Sequence, residues 1–149
     1  MEIRLATIED AQAIYDIEQQ SFSVPWSLES VLAELEGADN KLYMVVWEDN
    51  QIVGYAGAWL VYDEGQITNI AILPSARSKG YGSKLTKELI DECLNRGMHE
   101  IFLEVRISNL PALAMYRNLG FSVKGIRKEY YSEPKEDAYI MSLVSEEIE

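Results

Sequence analysis

The stretch ITNIAILPSARSKGYGSKLTKELIDECLNRG, residues 67–97, predicts a strand, a short glycine-containing loop and a long helix. The apolar, β-branched run from Ile67 to Leu73 has the composition and length of a strand. Pro74 ends that strand, because proline has no amide hydrogen to donate to a neighbouring strand. Beyond the loop, apolar residues recur with helical spacing as far as Gly97, a residue type that suits the position after a helix end.

The loop between this strand and helix, residues 77–82 (RSKGYG), has the features of an anion-binding turn. The first amides of a helix lack intrahelical acceptors, and the helix dipole makes that end positive. Glycine lets a phosphate group approach the backbone closely. The loop lacks the Gly-Lys-Ser/Thr of a P-loop, and Leu85 stands in place of the third glycine of a dinucleotide-binding fingerprint. The alternative is an ordinary strand–helix connection whose glycines only permit tight packing.

Length and composition are those of a globular protein. The 149 residues fit a single domain, 1–149, with a core of its own. Apolar residues make up 48% of the chain, and no apolar run reaches the roughly 20 residues that a membrane span needs. The formal net charge of −12 argues against nucleic-acid binding, which needs clustered lysine and arginine, and it favours basic partners. The alternative is that the acidity only serves solubility.

The two ends of the chain and its cysteine bear on location. The start, MEIRLATIED, has no basic segment followed by an apolar one, so no signal peptide is expected. A single cysteine, Cys93, allows no internal disulfide, which predicts a cytoplasmic protein. Cys93 falls on the apolar stripe of the long helix, so we expect a buried, inert thiol rather than a nucleophile.

No zinc-type cluster is present and no metal is expected. The acidic end, residues 145–149, is expected to be a solvated tail.

The rest of the chain adds strands and helices on both sides of the central unit, in the order β-α-α-β-β-β-α-β-α-β-β. Helices are predicted to begin near Thr7, Ser27 and Asn109, whose side chains can accept hydrogen bonds from helix amides. Strands are predicted over residues 3–5, 42–47, 52–62, 67–73, 101–106, 121–131 and 137–143. Gly54 and Gly57 within the third of these strands predict a bulge or a close approach of the backbone.

The strand–helix–strand unit of residues 67–106 is expected to be a right-handed parallel crossover, whereas the earlier strands form antiparallel hairpins. The predicted fold class is therefore α/β, with a single mixed, mostly antiparallel sheet around a central parallel β-α-β unit. Ligands of open α/β sheets bind beyond the carboxyl ends of parallel strands. This rule places the loop around Gly80 and residues 106–109 at one edge of the sheet.

These patterns resemble those of a known enzyme family. Arg-x-x-Gly-x-Gly, directly after Ile-Ala-Ile-x-Pro, resembles the acetyl-CoA pyrophosphate loop of the GNAT acetyltransferases, and the order of elements resembles that of the family over the whole chain. LEVRISNLPALAMYRNLGF, residues 103–121, is similar to the signature of the bacterial ribosomal-protein alanine N-acetyltransferases. Residues 25–27 (PWS) and 127–131 (RKEYY) are similar to further blocks of that group. Leu110-Pro111 departs from its pattern.

The resemblance implies a GNAT fold, acetyl-CoA as the acetyl donor, and two catalytic residues. Glu104 would accept the proton of the attacking amine, and Tyr116 would donate a proton to the leaving thiolate. Glu104 lies in the middle of a predicted strand, where glutamate is not favoured. The alternative for Glu104 is an ordinary ion pair with Arg106, on the same face of the strand. The alternative for Tyr116 is a core aromatic residue with its hydroxyl in water.

The same resemblance implies binding sites for the donor and the acceptor. Main-chain groups of residues 70–72 would pair with the pantetheine arm as an added strand would, and those of residues 78–83 would bind the pyrophosphate. The expected coenzyme-binding residues are Ile70, Ala71, Ile72, Arg77, Ser78, Lys79, Gly80, Tyr81, Gly82, Ser83 and Asn109. An aromatic slot of Trp26, Tyr130 and Tyr131 would admit a flexible peptide N-terminus, whereas Phe22 is assigned to the core.

The implied acceptor is the N-terminal alanine of a small-subunit ribosomal protein, a basic partner that would suit the acidic chain. Two alternatives remain open. The same fold could acetylate a small-molecule amine or a lysine side chain, or it could bind the coenzyme without catalysis and serve as an interaction module. The sequence carries no indication of the oligomeric state.

Overall fold

In the computed structural model, residues 1–37 and 39–145 are described, and they form one mixed sheet of seven strands with α-helices on both faces. Apart from Ser145, the predicted acidic tail lies outside the described residues. Among these residues, every helix is too short or too polar to cross a lipid bilayer.

The order of elements is the predicted one. The strands are β1 (Glu2–Leu5), β2 (Lys41–Glu48), β3 (Gln51–Val61), β4 (Glu64–Ile72), β5 (Glu100–Arg106), β6 (Ser122–Ser132) and β7 (Lys135–Val144). The α-helices are α1 (Ala11–Ser21), α2 (Leu28–Leu35), α3 (Tyr81–Asn95) and α4 (Leu110–Asn118), and short 3₁₀ turns cover Ile8–Asp10 and Pro74–Ala76. The strands lie in the order β1-β2-β3-β4-β5-β7-β6. The pair β4–β5 is parallel and the other described pairs are antiparallel, which confirms the predicted mixed sheet.

Side-chain caps fix the starts of two helices as predicted. The Ser27 hydroxyl accepts a hydrogen bond from the amide of Ser30 at 3.1 Å, at the start of α2. The Asn109 side chain accepts from the amide of Ala112 at 3.3 Å, at the start of α4. Near Thr7 a capping box is present, but it opens a 3₁₀ turn before α1 begins. The local polar residues therefore decide where the chain turns into each helix.

Two apolar cores hold the helices against the two faces of the sheet. Helix α3 buries Leu85, Leu89 and Cys93 against one face, in a core that also includes Leu113 of α4. Burial raises the pKa of the Cys93 thiol to about 12, so the thiol is neutral and inert, as predicted. On the opposite face, α1 and α2 form the second core with residues of β2, β3 and β4, including Tyr55.

Strands β4 and β5 part after a short parallel pairing. They pair only from Glu64 to Gln66 on β4, opposite residues 100–102 of β5. Directly beyond, Ile67 pairs with Ala58 of β3 but residue 69 pairs with Gly57, so Thr68 is an extra residue in the β4 strand. Such a bulge bends a strand and increases its twist, which turns β4 away from β5. This bulge lies in β4 and not at Gly57 of β3. Within β3 the extra residue opposite β2 is Val53, next to Gly54, and Gly57 is a close approach, since a Cβ there would collide with the Tyr43 ring.

Candidate active site

The gap between the diverging strands β4 and β5 opens into a cavity of about 610 Å³. Its floor is formed by residues 67–70 of β4 and 103–106 of β5. Its walls come from residues 21–24 and 26 after helix α1, from Asn109, Ala112 and Tyr116 at helix α4, and from residues 130–134 of the β6–β7 hairpin. Since pairing between the two strands has ended, the edge of β4 that faces the cavity has no neighbouring strand from Ile67 onward.

Glu104 lies on this floor, where β5 faces the cavity. Its carboxylate accepts a hydrogen bond from the Gln66 amide at 2.8 Å and forms an ion pair with Arg127 at 3.1 Å. Only 14% of the Glu104 side chain is exposed, whereas 52% of Arg127 is. The suggested ion pair of Glu104 with Arg106 is therefore wrong, because the partner comes from β6. A largely buried carboxylate with one exposed cation as its partner keeps a lone pair available for a ligand proton.

Arg106 instead fixes the tip of the β6–β7 hairpin. Its guanidinium donates to the carbonyl oxygens of Pro134 and Glu133 at 2.8 and 3.1 Å and contacts the Glu136 carboxylate at 3.2 Å. The same tip reaches across the cavity, since the Ser23 hydroxyl donates to the Glu133 carbonyl at 2.7 Å. The loop after α1 and the hairpin tip thus touch above the cavity, and any ligand of the cavity has to enter beneath or beside this contact.

Tyr116 reaches the cavity from helix α4. Its ring packs edge-on against Phe121 with centroids 5.8 Å apart, and its hydroxyl has no hydrogen-bond partner among the described residues. Burial raises the pKa of Tyr116 to about 12, so the phenol carries its proton throughout the neutral pH range. The Tyr116 ring is therefore packed like a core aromatic residue, as the alternative interpretation expected. Its hydroxyl can still donate a hydrogen bond to a ligand.

The start of helix α3 is built differently from the starts of α2 and α4. Its N-cap is Gly80, with φ of 79°, and no side chain accepts from the first amides of the helix. The first intrahelical bond runs from the amide of Lys84 to the carbonyl of Gly80 at 3.2 Å, and the amides of residues 81–83 have no acceptor within residues 1–37 and 39–145. Unpaired amides at a helix N-terminus form an anion-binding site.

The glycine loop also lies close to β4 and α4. A methyl group placed on Gly82 would be 3.9 Å from the side chains of Ile72 and Met115, so the protein itself leaves room there. A methyl group placed on Gly80 would have no atom of the described residues within 4 Å. The positive φ of Gly80 would nevertheless strain any other residue type at this position. The uncapped end of α3 is therefore next to the open edge of β4, as the parallel crossover predicted, although the loop lies beyond the cavity lining.

The basic side chains of this loop are held by the protein. Arg77 donates through Nε to the Ile72 carbonyl at 2.9 Å, at the carboxyl end of β4. Lys79 pairs with Glu48 at 3.2 Å, and the Tyr81 hydroxyl donates to the same carboxylate. Those contacts lower the pKa of Glu48, chiefly through the Tyr81 hydrogen bond. The loop conformation thus depends on the end of β2, and much of the positive character at the helix start comes from amides.

The aromatic residues assigned to the acceptor slot do line the cavity. Tyr130 and Tyr131 pack edge-on with ring centroids 5.0 Å apart, beneath the guanidinium groups of Arg127 and Arg106. Trp26 lines the opposite wall. Phe22 is 36% exposed and also lines the cavity, so its assignment to the core is wrong. Because α1 ends at Ser21, the Phe22 side chain is directed by the loop and not by the helix stripe.

The profile of the Acetyltransferase (GNAT) family matches residues 11–121. The chain belongs to the GNAT acetyltransferase family. It is 40% identical over 139 residues to a Bacillus subtilis (strain 168) protein with the provisional name [ribosomal protein bS18]-alanine N-acetyltransferase, covering 93% of this chain and 92% of that protein. It is 38% identical to the [ribosomal protein bS18]-alanine N-acetyltransferase of Escherichia coli (strain K12), covering 90% of each chain.

A solved structure gives the same result for the fold. The crystal structure of the ribosomal-protein-S18-alanine N-acetyltransferase from Escherichia coli superposes with a TM-score of 0.88 at 34% identity, covering 96% of this chain and 92% of that one. The GNAT fold and the resemblance read from the glycine loop and from residues 103–121 are confirmed. The cavity between β4 and β5 is therefore the candidate acetyltransferase site of this GNAT protein.

Glu18 is the residue of this GNAT site that sequence reasoning missed. It is 1% exposed, on the buried face of α1, and it borders the cavity. Its carboxylate accepts from the amide of Trp26 at 2.8 Å, from Asn69 at 2.9 Å and from the Tyr55 hydroxyl. Burial, with the nearby Glu18 charge, raises the pKa of Tyr55 above the ordinary tyrosine value. A glutamate on an apolar helix stripe was the available signal, since such a residue needs buried partners.

Replacing Glu18 should destabilise the fold and release the loop after α1. Glu18→Ala leaves the Tyr55 hydroxyl, the Asn69 amide and the Trp26 amide without their acceptor, so we expect a loss of about 2–4 kcal/mol in the free energy of unfolding. Urea denaturation measures it. The matched control is Asp16→Ala, an exposed carboxylate on the same helix, for which the loss should stay below about 0.5 kcal/mol. Equal losses in the two variants would contradict this account.

Proposed function

We propose that this protein is an acetyl-CoA-dependent N-terminal α-amino acetyltransferase whose acceptor is a protein, the N-terminal alanine of a small-subunit ribosomal protein. The observation that carries the proposal is the placement of the Glu104 carboxylate and the Tyr116 hydroxyl around one cavity, beside the uncapped start of α3. The names of the relatives from Bacillus subtilis and Escherichia coli support this acceptor. A cytoplasmic location, where such an acceptor is made, belongs to the same proposal.

The donor would be held mainly by backbone groups. Acetyl-CoA supplies an activated thioester, and the residues that fit it are an open strand edge and an anion-binding helix start. The edge of β4 at residues 70–72 has no neighbouring strand, although the Ile72 carbonyl accepts from Arg77, and it can hydrogen-bond the amides of the pantetheine arm in the manner of an added strand. The amides of residues 81–83 can bind the pyrophosphate. Asn109, which lines the cavity, would contact the coenzyme near the start of α4.

Glu104 would remove the proton from the acceptor amine. An α-amino group has a pKa of about 8, so part of it is already neutral at pH 7 and a nearby carboxylate can take the remaining proton. The Gln66 amide and Arg127 hold the two oxygens of Glu104 in place. Such fixed positioning is what a general base requires, because proton transfer depends on hydrogen-bond geometry.

Tyr116 would act as the general acid for the sulfur of the leaving group. With a pKa of about 12 its phenol stays protonated while it donates a hydrogen bond or a proton to the thiolate that develops. Its hydroxyl has no partner in the part of the chain that the structure describes, so no hydrogen bond to those residues must break first. Its ring is fixed by the edge-on contact with Phe121, so the hydroxyl stays near the β4–β5 gap.

The acceptor would enter beneath the contact between Ser23 and Glu133. Trp26 and Tyr131 stand on opposite walls of the cavity, and Phe22 and Tyr130 are exposed at its rim. A chain end with a small side chain fits such a roofed aromatic slot better than a branch in the middle of a folded surface. This geometry favours a peptide N-terminus over a lysine side chain on a folded surface.

The direct test is acetylation of synthetic peptides. The purified protein and acetyl-CoA are incubated with an alanine-headed peptide that also contains one lysine, and with the same peptide blocked at its N-terminus. We expect one acetyl group on the free peptide, placed on the α-amine by tandem mass spectrometry, and none on the blocked one. Equal labelling of both peptides would replace the proposed acceptor by a lysine side chain, and labelling of neither would favour a coenzyme-binding module.

Replacing either proposed catalytic residue should lower the turnover number, kcat. Glu104→Gln and Tyr116→Phe should each lower kcat about 100-fold, because general acids and bases contribute roughly 10²–10⁴-fold. The matched controls are Glu88→Gln and Tyr62→Phe, which make the same changes at exposed positions outside the cavity; kcat should change less than about threefold in each. A kcat of Glu104→Gln within about threefold of that of the unaltered protein would reduce Glu104 to a structural role.

The pH profile tests the assignment of Tyr116 separately. The raised pKa means that this phenol loses its proton only as the pH approaches about 12. The rate should therefore rise with pH as the acceptor amine, with a pKa of about 8, becomes neutral, and it should then stay level to about pH 10. A decline between pH 8 and 10 that disappears in Tyr116→Phe would contradict the raised pKa, because the phenol would then lose its proton well below pH 12.

Replacing Gly82 should weaken coenzyme binding without lowering the stability of the fold. Gly82→Leu fills the space between Ile72 and Met115 next to the free amides, so we expect coenzyme A to bind at least about tenfold more weakly in calorimetry. Thermal unfolding without coenzyme should be nearly unchanged. Glu88→Leu, at an exposed position of the same helix, is the control and should bind normally. Normal binding by Gly82→Leu would remove the loop from the donor site.

A further inference from the structure

One face of the sheet next to the cavity is not covered by a helix over its whole width. Trp59 of β3, Gln66 of β4, Phe102 of β5 and Ser142 of β7 are paired in register, so their side chains form one row on the face that carries Glu104. Helices α1 and α2 pack on the β2–β4 part of this face. Towards the open ends of β3 and β5 the face carries Trp59, which is 40% exposed, and Val61, which is 51% exposed.

This surface, which we call the open sheet face, consists of Trp59, Val61, Gln66, Phe102 and Ile140. It is continuous with the cavity. Gln66 donates the hydrogen bond to Glu104, and Ile140 is paired in register with Glu104. Phe102 lies two residues from Glu104 along β5, a distance of roughly 7 Å. A chain that leaves the cavity in this direction meets the open sheet face within two residues.

The charges beside the open sheet face are negative. Glu64 is paired in register with Val61, and Glu100 is paired in register with Glu64, so both carboxylates lie on the same face. Neither forms an ion pair within residues 1–37 and 39–145. Two cations near this surface are already used, since Lys41 pairs with Glu34 at 2.5 Å and Arg127 with Glu104 at 3.1 Å. The face therefore combines exposed apolar side chains with uncompensated negative charge, which suits an apolar and basic segment.

We propose that the open sheet face binds the segment of the acceptor protein that follows its acetylated residue, and that this segment is apolar and basic. The inference rests on the proposed function, because it assumes that a protein N-terminus enters the cavity. A second copy of this chain is disfavoured as the occupant, since a symmetric contact through this face would bring the Glu64 and Glu100 carboxylates of both copies together. The face thus selects among acceptors that share the same first residues.

The test compares peptides that differ only beyond the cavity. One is an alanine-headed peptide of about four residues, and the others are about fourteen residues long. The longer ones share those first residues and continue with alternating lysine and leucine, or with alternating glutamate and leucine. With the unaltered protein, KM for the lysine–leucine peptide should be about tenfold below that for the short peptide, and the glutamate–leucine peptide should show no such gain. Equal KM values for the three peptides would overturn the proposal.

Substitutions at Val61 place the effect on the open sheet face. Val61→Lys should raise KM for the lysine–leucine peptide about fivefold, by charge repulsion, and leave the short peptide unaffected. Val61→Glu removes the same apolar side chain but adds attraction, so it should retain most of the gain. The control is Val123→Lys: Val123 is 38% exposed on β6 and is paired with Met141 of the core, so it faces the other side of the sheet.

Three other outcomes would overturn the inference, and each has a different cause. If Val61→Lys and Val123→Lys behave alike, the open sheet face does not bind the acceptor. If sedimentation shows a dimer that Val61→Lys dissociates, the face is a contact between copies of the chain. If the unaltered protein binds coenzyme A but acetylates none of the peptides, the proposed function fails and this inference fails with it.

Discussion

The early end of the pairing between β4 and β5 is the constraint on which the rest of the structure depends. A parallel pair that continued past Gln66 would use the backbone groups of both strands and close the sheet. The bulge at Thr68 prevents this, and the Thr68 hydroxyl donates to the Gly57 carbonyl at 3.2 Å, which ties the extra residue to β3. Backbone groups that lose a strand partner need another one. One inserted residue therefore leaves an open edge on β4, which is the proposed binding surface for the donor.

Features that depend on neighbours in sequence were predictable, and features that depend on distant partners were not. Ser27 and Asn109 cap their helices because the accepting side chain and the amide are three residues apart. The point where β4 leaves β5 depends on pairing across a helix, and no local pattern marks it. The same reason explains the incorrect partner assigned to Arg106, whose real contacts lie in the hairpin tip 27 to 30 residues away. Periodicity gives the elements, whereas the site is assembled from their ends.

Glu18 shows how the acceptor side of the cavity is tied to the same divergence. A buried carboxylate is costly unless hydrogen bonds replace its water shell, and Glu18 has three donors. One of them is Asn69, the residue that follows the Thr68 bulge. Another is the amide of Trp26 in the loop that reaches the hairpin tip. The bulge thus fixes both the open edge proposed for the donor and, through Glu18, the position of the loop over the cavity proposed for the acceptor.

The charge of the chain explains why donor and acceptor would be bound by different kinds of groups. A net charge of −12 repels a diphosphate at long range, and Lys79 near the candidate site is already paired with Glu48. Amides at a helix start act within the first turn and are little affected by distant carboxylates, because salt screens exposed charges beyond about 8–10 Å. A basic acceptor, in contrast, is attracted by the whole acidic surface before it makes any contact. Short-range dipoles for the donor and a long-range field for the acceptor are compatible in one small domain, and that combination would let an acidic protein bind an anionic coenzyme and the proposed cationic substrate side by side.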